Sequence, residues 1–238
     1  MHISAYRGEF GLKVMHHAPW AYAQGAGHTV EIEAGDEALY PLAKRWLVVS
    51  RAPDATRTAR PRVGPQRAYF RPVPYLSIGV SADVVICPRR RTYGESKNWN
   101  HWRTVAERLR AAGLRVFSGG VADASDLSVP GDAAWYYERP LDATLEAMQS
   151  AQLVVGSCGG LPILAVLAAC PLLLFTYRGM VAPGPVINSR GKFVQKDYWP
   201  VRLQEYYAKV NHAGSPITVI DGWEYPERVA QKVIEACA

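Results

Sequence analysis

The sequence is short of cysteine, of metal-ligand spacing and of the common nucleotide-binding loops. Its 238 residues hold 4 cysteines, Cys87, Cys158, Cys170 and Cys237, among apolar neighbours and without a CxxC pair. That usage fits reduced thiols in a reducing compartment and excludes a disulfide scaffold. His16 and His17 are adjacent and so cannot share a helix face, while His28, His101 and His212 stand alone, so no resident metal is expected. No GxxxxGKS or GxxxxGKT loop, GxGxxG fingerprint or GxSxG elbow occurs, which removes the best-marked phosphate loops and the α/β-hydrolase nucleophile. No basic, apolar and small-residue succession opens the chain, and a cytoplasmic location is expected. Residues 153–177 carry no charge, yet Gly156, Gly159, Gly160, Pro162 and Pro171 divide them into strand, turn, helix and strand. No membrane span is expected.

What is present is an ordinary globular composition, 49% apolar, 20% charged and 11% aromatic, which excludes disordered, collagen-like and coiled-coil chains. The length suits one large domain or two small ones. Net charge is +6 and uneven, because residues 51–71 carry six Arg against one acid. Such a strip attracts phosphate-bearing ligands or nucleic acid, or is a solvated basic loop.

Along the chain, short apolar strands alternate with helical patterns. Strands are expected at His2–Tyr6, His28–Glu33, Trp46–Val49, Asp83–Cys87, Leu114–Phe117, Leu153–Val155, Leu172–Phe175 and Ile217–Ile220. Helices are expected near Leu12–Pro19, after Gly35-Asp36, and over Asn98–Ala112, Leu141–Ala151, Pro162–Ala169 and Pro226–Cys237, with Gly113 as a helix stop. This rhythm predicts an α/β fold of two Rossmann-like units with parallel sheets, the first truncated. From Arg51 to about Pro74 the periodicity gives way to Arg, Pro, Ala and Thr. Residues 1–74 therefore read as a reduced acceptor-side unit with a basic linker, and 75–238 as a donor-binding Rossmann-like domain.

Ligands of such sheets bind beyond the carboxyl ends of the strands. Four places qualify. Cys87-Pro88-Arg89-Arg90-Arg91 precedes Ser96-Lys97-Asn98-Trp99 at a helix start, a setting for a diphosphate or a solvated turn capped by Asn98 or Asn100. Ser118-Gly119-Gly120 and Gly156-Ser157-Cys158-Gly159-Gly160 read as turns whose amides hold phosphate, or as plain strand-to-helix turns. Cys158 has no His nearby in sequence and reads as a small buried thiol. Glu9 is the only carboxylate in the turn after the first strand, placed either to take a proton from an acceptor hydroxyl or to favour a helix dipole. Trp199, Tyr206 and Tyr207 read as aromatics of a helix packed on the core, or as a stacking surface for a base.

At these residues the chain resembles the GT-B glycosyltransferases, above all the heptosyltransferase-like family that uses nucleotide-diphosphate sugars. The resemblance runs over residues 83–178: the strand ending at Pro88, Lys97-Asn98-Trp99, Gly119-Gly120, the helix at Leu141–Ala151, the Val155–Gly160 loop and Pro171. It implies a nucleotide-sugar-dependent transferase, inverting and metal-independent, with no cofactor beyond the donor. Lys97 with Arg89 and Arg91 would meet the donor phosphates, Gly119, Ser157, Gly159 and Gly160 would line the donor, and Glu9 would be the base. Gly8-Glu9 stands where the family has Gly-Asp, and Ser157-Cys158-Gly159 replaces a triplet that includes an acid. The first unit is also far smaller than the family's. An open cleft beside the 51–71 strip suits a large hydroxyl acceptor, with a hydroxylated base in DNA as one form, held by Arg60, Arg62 and Arg67. A noncatalytic nucleotide or nucleic-acid binding module, or a sugar-nucleotide epimerase or hydrolase, fits the same pattern.

Overall fold

The structure is a computed structural model that describes residues 1–6, 10, 13–50, 79–91, 98–121, 124–136, 141–157, 159–176, 184–187, 193–196, 216–221 and 224–238. The segment chosen from sequence as the domain boundary, along with Arg60, Arg62 and Arg67, lies outside the described residues.

Among the described residues, two parallel sheets organise the fold. The first has three strands, β1 (His2–Ile3), β2 (His28–Glu33) and β3 (Ala43–Val49), in that order. One π-type turn, Lys13–His17, leads into α1 (Ala18–Ala23), where Pro19 sits at the start and needs no hydrogen-bond acceptor for its nitrogen. The helix expected after Gly35-Asp36 is a single 3₁₀ turn, Glu37–Leu39.

The second sheet has six parallel strands: β4 (Val84–Cys87), β5 (Val116–Val121), β6 (Asp132–Tyr136), β7 (Leu153–Ser157), β8 (Leu172–Thr176) and, after two intervening strands, β11 (Ile217–Asp221). The intervening β9 (Gly184–Ile187) and β10 (Phe193–Lys196) form a separate antiparallel pair. The sheet order is β11-β8-β7-β4-β5-β6. Starting at β4, successive strands step outward to one edge, and from β7 outward to the other, the Rossmann order with its switch point between β4 and β7.

Helices cover both faces. On one side α2 (Trp102–Ala111) and α5 (Pro226–Ala236) bury Trp102, Val105, Leu109, Val229 and Val233 against Val84, Ile86, Val155 and Phe175. On the other, α3 (Leu141–Ser150) and α4 (Leu164–Leu167) bury Leu145, Met148 and Val166 against Val85, Val154 and Leu174. The latter cluster continues into the first sheet through Ile3, Val14, Ile32 and Leu39. The Leu141 amide donates to the Gly35 carbonyl at 3.1 Å, so the turn after β2 seats on the start of α3.

Sequence and structure differ at three instructive points. Ser118-Gly119-Gly120, expected as a turn, lies within β5 and pairs with Ala133, Ala134 and Trp135 of β6, a strand that the periodicity did not predict. The cap of α2 is His101 rather than Asn98 or Asn100. The helix after Pro162 is one turn, Leu164–Leu167, because the chain first makes a tight bend at residues 159–163.

Candidate active site

The switch point brings two sequence-predicted places side by side. Cys87 at the end of β4 pairs with Gly156 of β7, so Pro88-Arg89 leaves the sheet next to Ser157. Gly156 is glycine for a packing reason: a Cβ there would stand 2.5 Å from Pro162 Cγ and 3.1 Å from Cys87 Cβ. The Pro162 ring therefore lies over the bare strand, and the turn at residues 159–161 leads into it. Gly159 has room, since a Cβ built there would stand 3.6 Å from the Ser157 carbonyl, and Gly160 is half-buried. Gly119 sits deeper, and its missing side chain makes way for Thr144 of α3, 3.2 Å from an added Cβ.

Two hydroxyls mark the other face of this edge. Side chains alternate along a strand, so Ser118 shares a face with Val116, and Ser157 with Val155, both toward α2. Ser118 and Ser157 are 0% and 2% exposed, and the Oγ atoms of both lack a hydrogen-bond partner among the described residues. A buried hydroxyl without a partner is costly, and it is an available donor and acceptor for a ligand oxygen.

The basic turn is well held. Arg89 and Arg91 are half-buried, and Arg90 is exposed with its guanidinium 3.7 Å from Asp126. Arg89 bridges Ser125 in antiparallel fashion, and the Arg91 main chain is bound by Asn98. Lys97, Cys158 and Glu9, and likewise Trp199, Tyr206 and Tyr207, lie outside the described residues. The Cys87 thiol is pushed up by burial, and that of Cys170 to about 12 by burial first and then by Cys237. Neither is a nucleophile near neutral pH.

A second polar centre, which sequence reasoning missed, lies at the carboxyl ends of β1 and β2. Lys13 Nζ donates to Glu33 Oε2 at 2.8 Å and to Asp36 Oδ2 at 2.6 Å, and all three side chains are at most 3% exposed. Beside it the His17 ring lies 5.4 Å from Tyr6 and 5.7 Å from both Trp20 and Tyr40, centroid to centroid. Its Nε2 donates to the Ser4 carbonyl at 3.2 Å, so Nδ1 accepts from the Tyr40 hydroxyl at 2.7 Å, and the imidazole is neutral. Burial, with help from the Lys13 charge and against the Ser4 bond, lowers its pKa to about 4. Burial raises Asp36 to about 6, outweighing the Lys13 ammonium, with Glu33 and Glu37 adding to the rise. Tyr40 is held well above its ordinary value by burial and by the Asp36 and Glu33 charges. The one signal in the sequence was charge next to apolar strand ends, Glu33 and Asp36 after Ile32, and it named no partner.

No protein-family model matches the sequence, and no curated protein matches it. Solved structures do. Over 99% of this chain and 98% of theirs, the fold agrees with E. coli ADP-heptose LPS heptosyltransferase II, at 13% identity and a TM-score of 0.60. A glycosyl transferase of family 9 from Veillonella parvula agrees at 10% identity and 0.57, covering 99% of this chain and 96% of that one. E. coli heptosyltransferase WaaC, solved with ADP, agrees at 13% and 0.53, covering 99% and 100%. The chain thus has the GT-B-like fold of heptosyltransferase-like glycosyltransferases, with a small three-strand first sheet.

Proposed function

We propose that this protein is an inverting glycosyltransferase that moves a sugar from a nucleotide-diphosphate donor to a hydroxyl acceptor. The observation that carries the proposal is the switch point itself, where a clasped basic turn at 88–91 and Ser157, beside a glycine packed under Pro162, stand at the ends of β4 and β7. That place in a doubly wound sheet is where dinucleotide-sized ligands bind. The relatives in fold include one solved with ADP.

In this reading Arg89, Arg91 and Lys97 meet the diphosphate, and Gly119, Ser157, Gly159 and Gly160 line the donor. Cationic side chains and main-chain amides balance the charge that develops on the leaving diphosphate, without a metal ion or further cofactor. Glu9, six residues beyond β1 in the sequence, removes the acceptor proton as the hydroxyl attacks the anomeric carbon. The acceptor side is the 51–71 strip with Arg60, Arg62 and Arg67, and its charge supports a polyanionic acceptor, including DNA with a hydroxylated base.

The first test is thermal melting with ADP, UDP, GDP and CDP. One of them at about a hundred times its Kd adds about 2.7 kcal/mol of stability; no shift with any of the four overturns the donor site. Glu9→Gln should keep that shift and lose transfer by about 10² to 10⁴; full activity removes Glu9 as base. Turnover that stops on adding a chelator counts against the metal-free mechanism, and transfer that ignores salt and DNA counts against the polyanionic acceptor.

A further inference from the structure

The main chain of the Arg89–Arg91 turn is gripped from two sides. From one side comes the loop after β5. The Arg90 amide donates to the Ala124 carbonyl at 2.8 Å, the Asp126 amide donates to the Pro88 carbonyl at 2.8 Å, and Arg89 bridges Ser125. That loop is itself fixed, since Ser125 Oγ accepts from the Val121 amide at 3.0 Å, and Asp126 Oδ1 accepts from the Ser128 hydroxyl at 2.7 Å and its amide at 3.1 Å.

From the other side comes a single side chain. Asn98 Oδ1 accepts from the Arg91 amide at 3.0 Å, while Asn98 Nδ2 donates to the Arg91 carbonyl at 2.7 Å. Both polar atoms of the amide thus go to one residue seven positions earlier. Helix formation does not account for this, because α2 begins at Trp102 with His101 as its cap. What the pair does is tie Asn98 to Arg91 and fix where the basic turn ends.

Resting on the donor-site reading above, we propose that Asn98 is a positioning residue that presets the Arg89–Arg91 turn for the two phosphoryl groups of the donor. Three adjacent cations repel one another and spread when the backbone is free. Holding the backbone beforehand removes that ordering cost from the binding step. Asn98 itself need not touch the ligand.

The test compares the wild-type chain with Asn98→Ala and Asn98→Ser, using whichever of ADP, UDP, GDP and CDP binds most tightly. In Asn98→Ala the Kd should rise about tenfold or more. In turnover the donor KM should rise while kcat at saturating donor holds. Asn98→Ser, whose hydroxyl can take one of the two bonds, should fall between. A purely structural role gives another pattern: a lower melting temperature without ligand, and kcat reduced with the folded fraction at unchanged KM. That pattern, or variants that bind like wild type, overturns the positioning role alone. A wild-type chain that binds none of the four nucleotides overturns the donor-site reading together with it.

Discussion

Gly113 and Ala169 occupy the same structural slot with different residues. Each follows a helix in the left-handed region, at φ +85° and +56°. Each is followed by the same pair of bonds, Leu114 to Leu109 and Gly113 to Arg110 after α2, Cys170 to Ala165 and Ala169 to Val166 after α4. This is the Schellman ending, which favours glycine. The Cβ of an L residue there costs about 1–2 kcal/mol, offset in part by the larger unfolded-state freedom of glycine. Gly113→Ala should therefore destabilise by about 1 kcal/mol, and Ala169→Gly should be neutral to stabilising by up to about 1 kcal/mol, read from urea midpoints. Shifts of the same sign in both variants would contradict this account. Gly113 as a helix stop was legible in sequence because its residue type matches the slot. Ala169 was not, because its conformation is imposed by the bonds around it.

At the scale of elements, legibility followed burial. α5, whose Val229, Ala230 and Val233 are spaced for one face, was readable almost to the residue. β6 was not, since it is an edge strand whose sequence, Asp132-Ala133-Ala134-Trp135-Tyr136, opens on an acid and two alanines and holds no β-branched residue. Ser118-Gly119-Gly120 looked like a turn because glycine is common in turns, whereas here small residues let α3 approach the sheet. That the basic turn and Gly156-Ser157 stand at strand ends was legible from the alternation of strands and helices. The Asn98 clasp was hidden because its partner is main chain. The Lys13 centre was hidden because its bonds join residues 20 and 23 positions apart. At the junction of β7 with the bend, Gly156→Ala forces a methyl into the Pro162 ring. It should cost about 1–3 kcal/mol and weaken nucleotide binding along with stability. Denaturant unfolding and a binding titration of the same sample check both, and an unchanged midpoint refutes the packing argument.

For the molecule as a whole, the Gly35–Leu141 bond ties the first unit to α3 one residue before Asp36 of the buried centre, so the protonation of that centre bears on overall stability. His17 is lowered from 6.5 to about 4. Its contribution is present above pH 6.5 and is lost as the pH falls toward 4. Asp36 is raised from 3.8 to about 6, so its contribution is full below 3.8 and is lost as the pH rises through 6. Between about 4 and 6 the two slopes oppose and offset each other. In Asp36→Asn only the His17 slope remains, and the melting temperature should drop more steeply than in wild type from pH 6.5 to 4.5. Parallel melting curves would show that the two groups do not offset. The strand order has a consequence for biosynthesis as well. The apolar face of β4, β7 and β8 is roofed partly by Val229, Ala230 and Val233, residues translated long after those strands. A nascent chain therefore carries that face covered only in part, by α2, until α5 emerges from the ribosome, which makes this half the one that most needs chaperone protection.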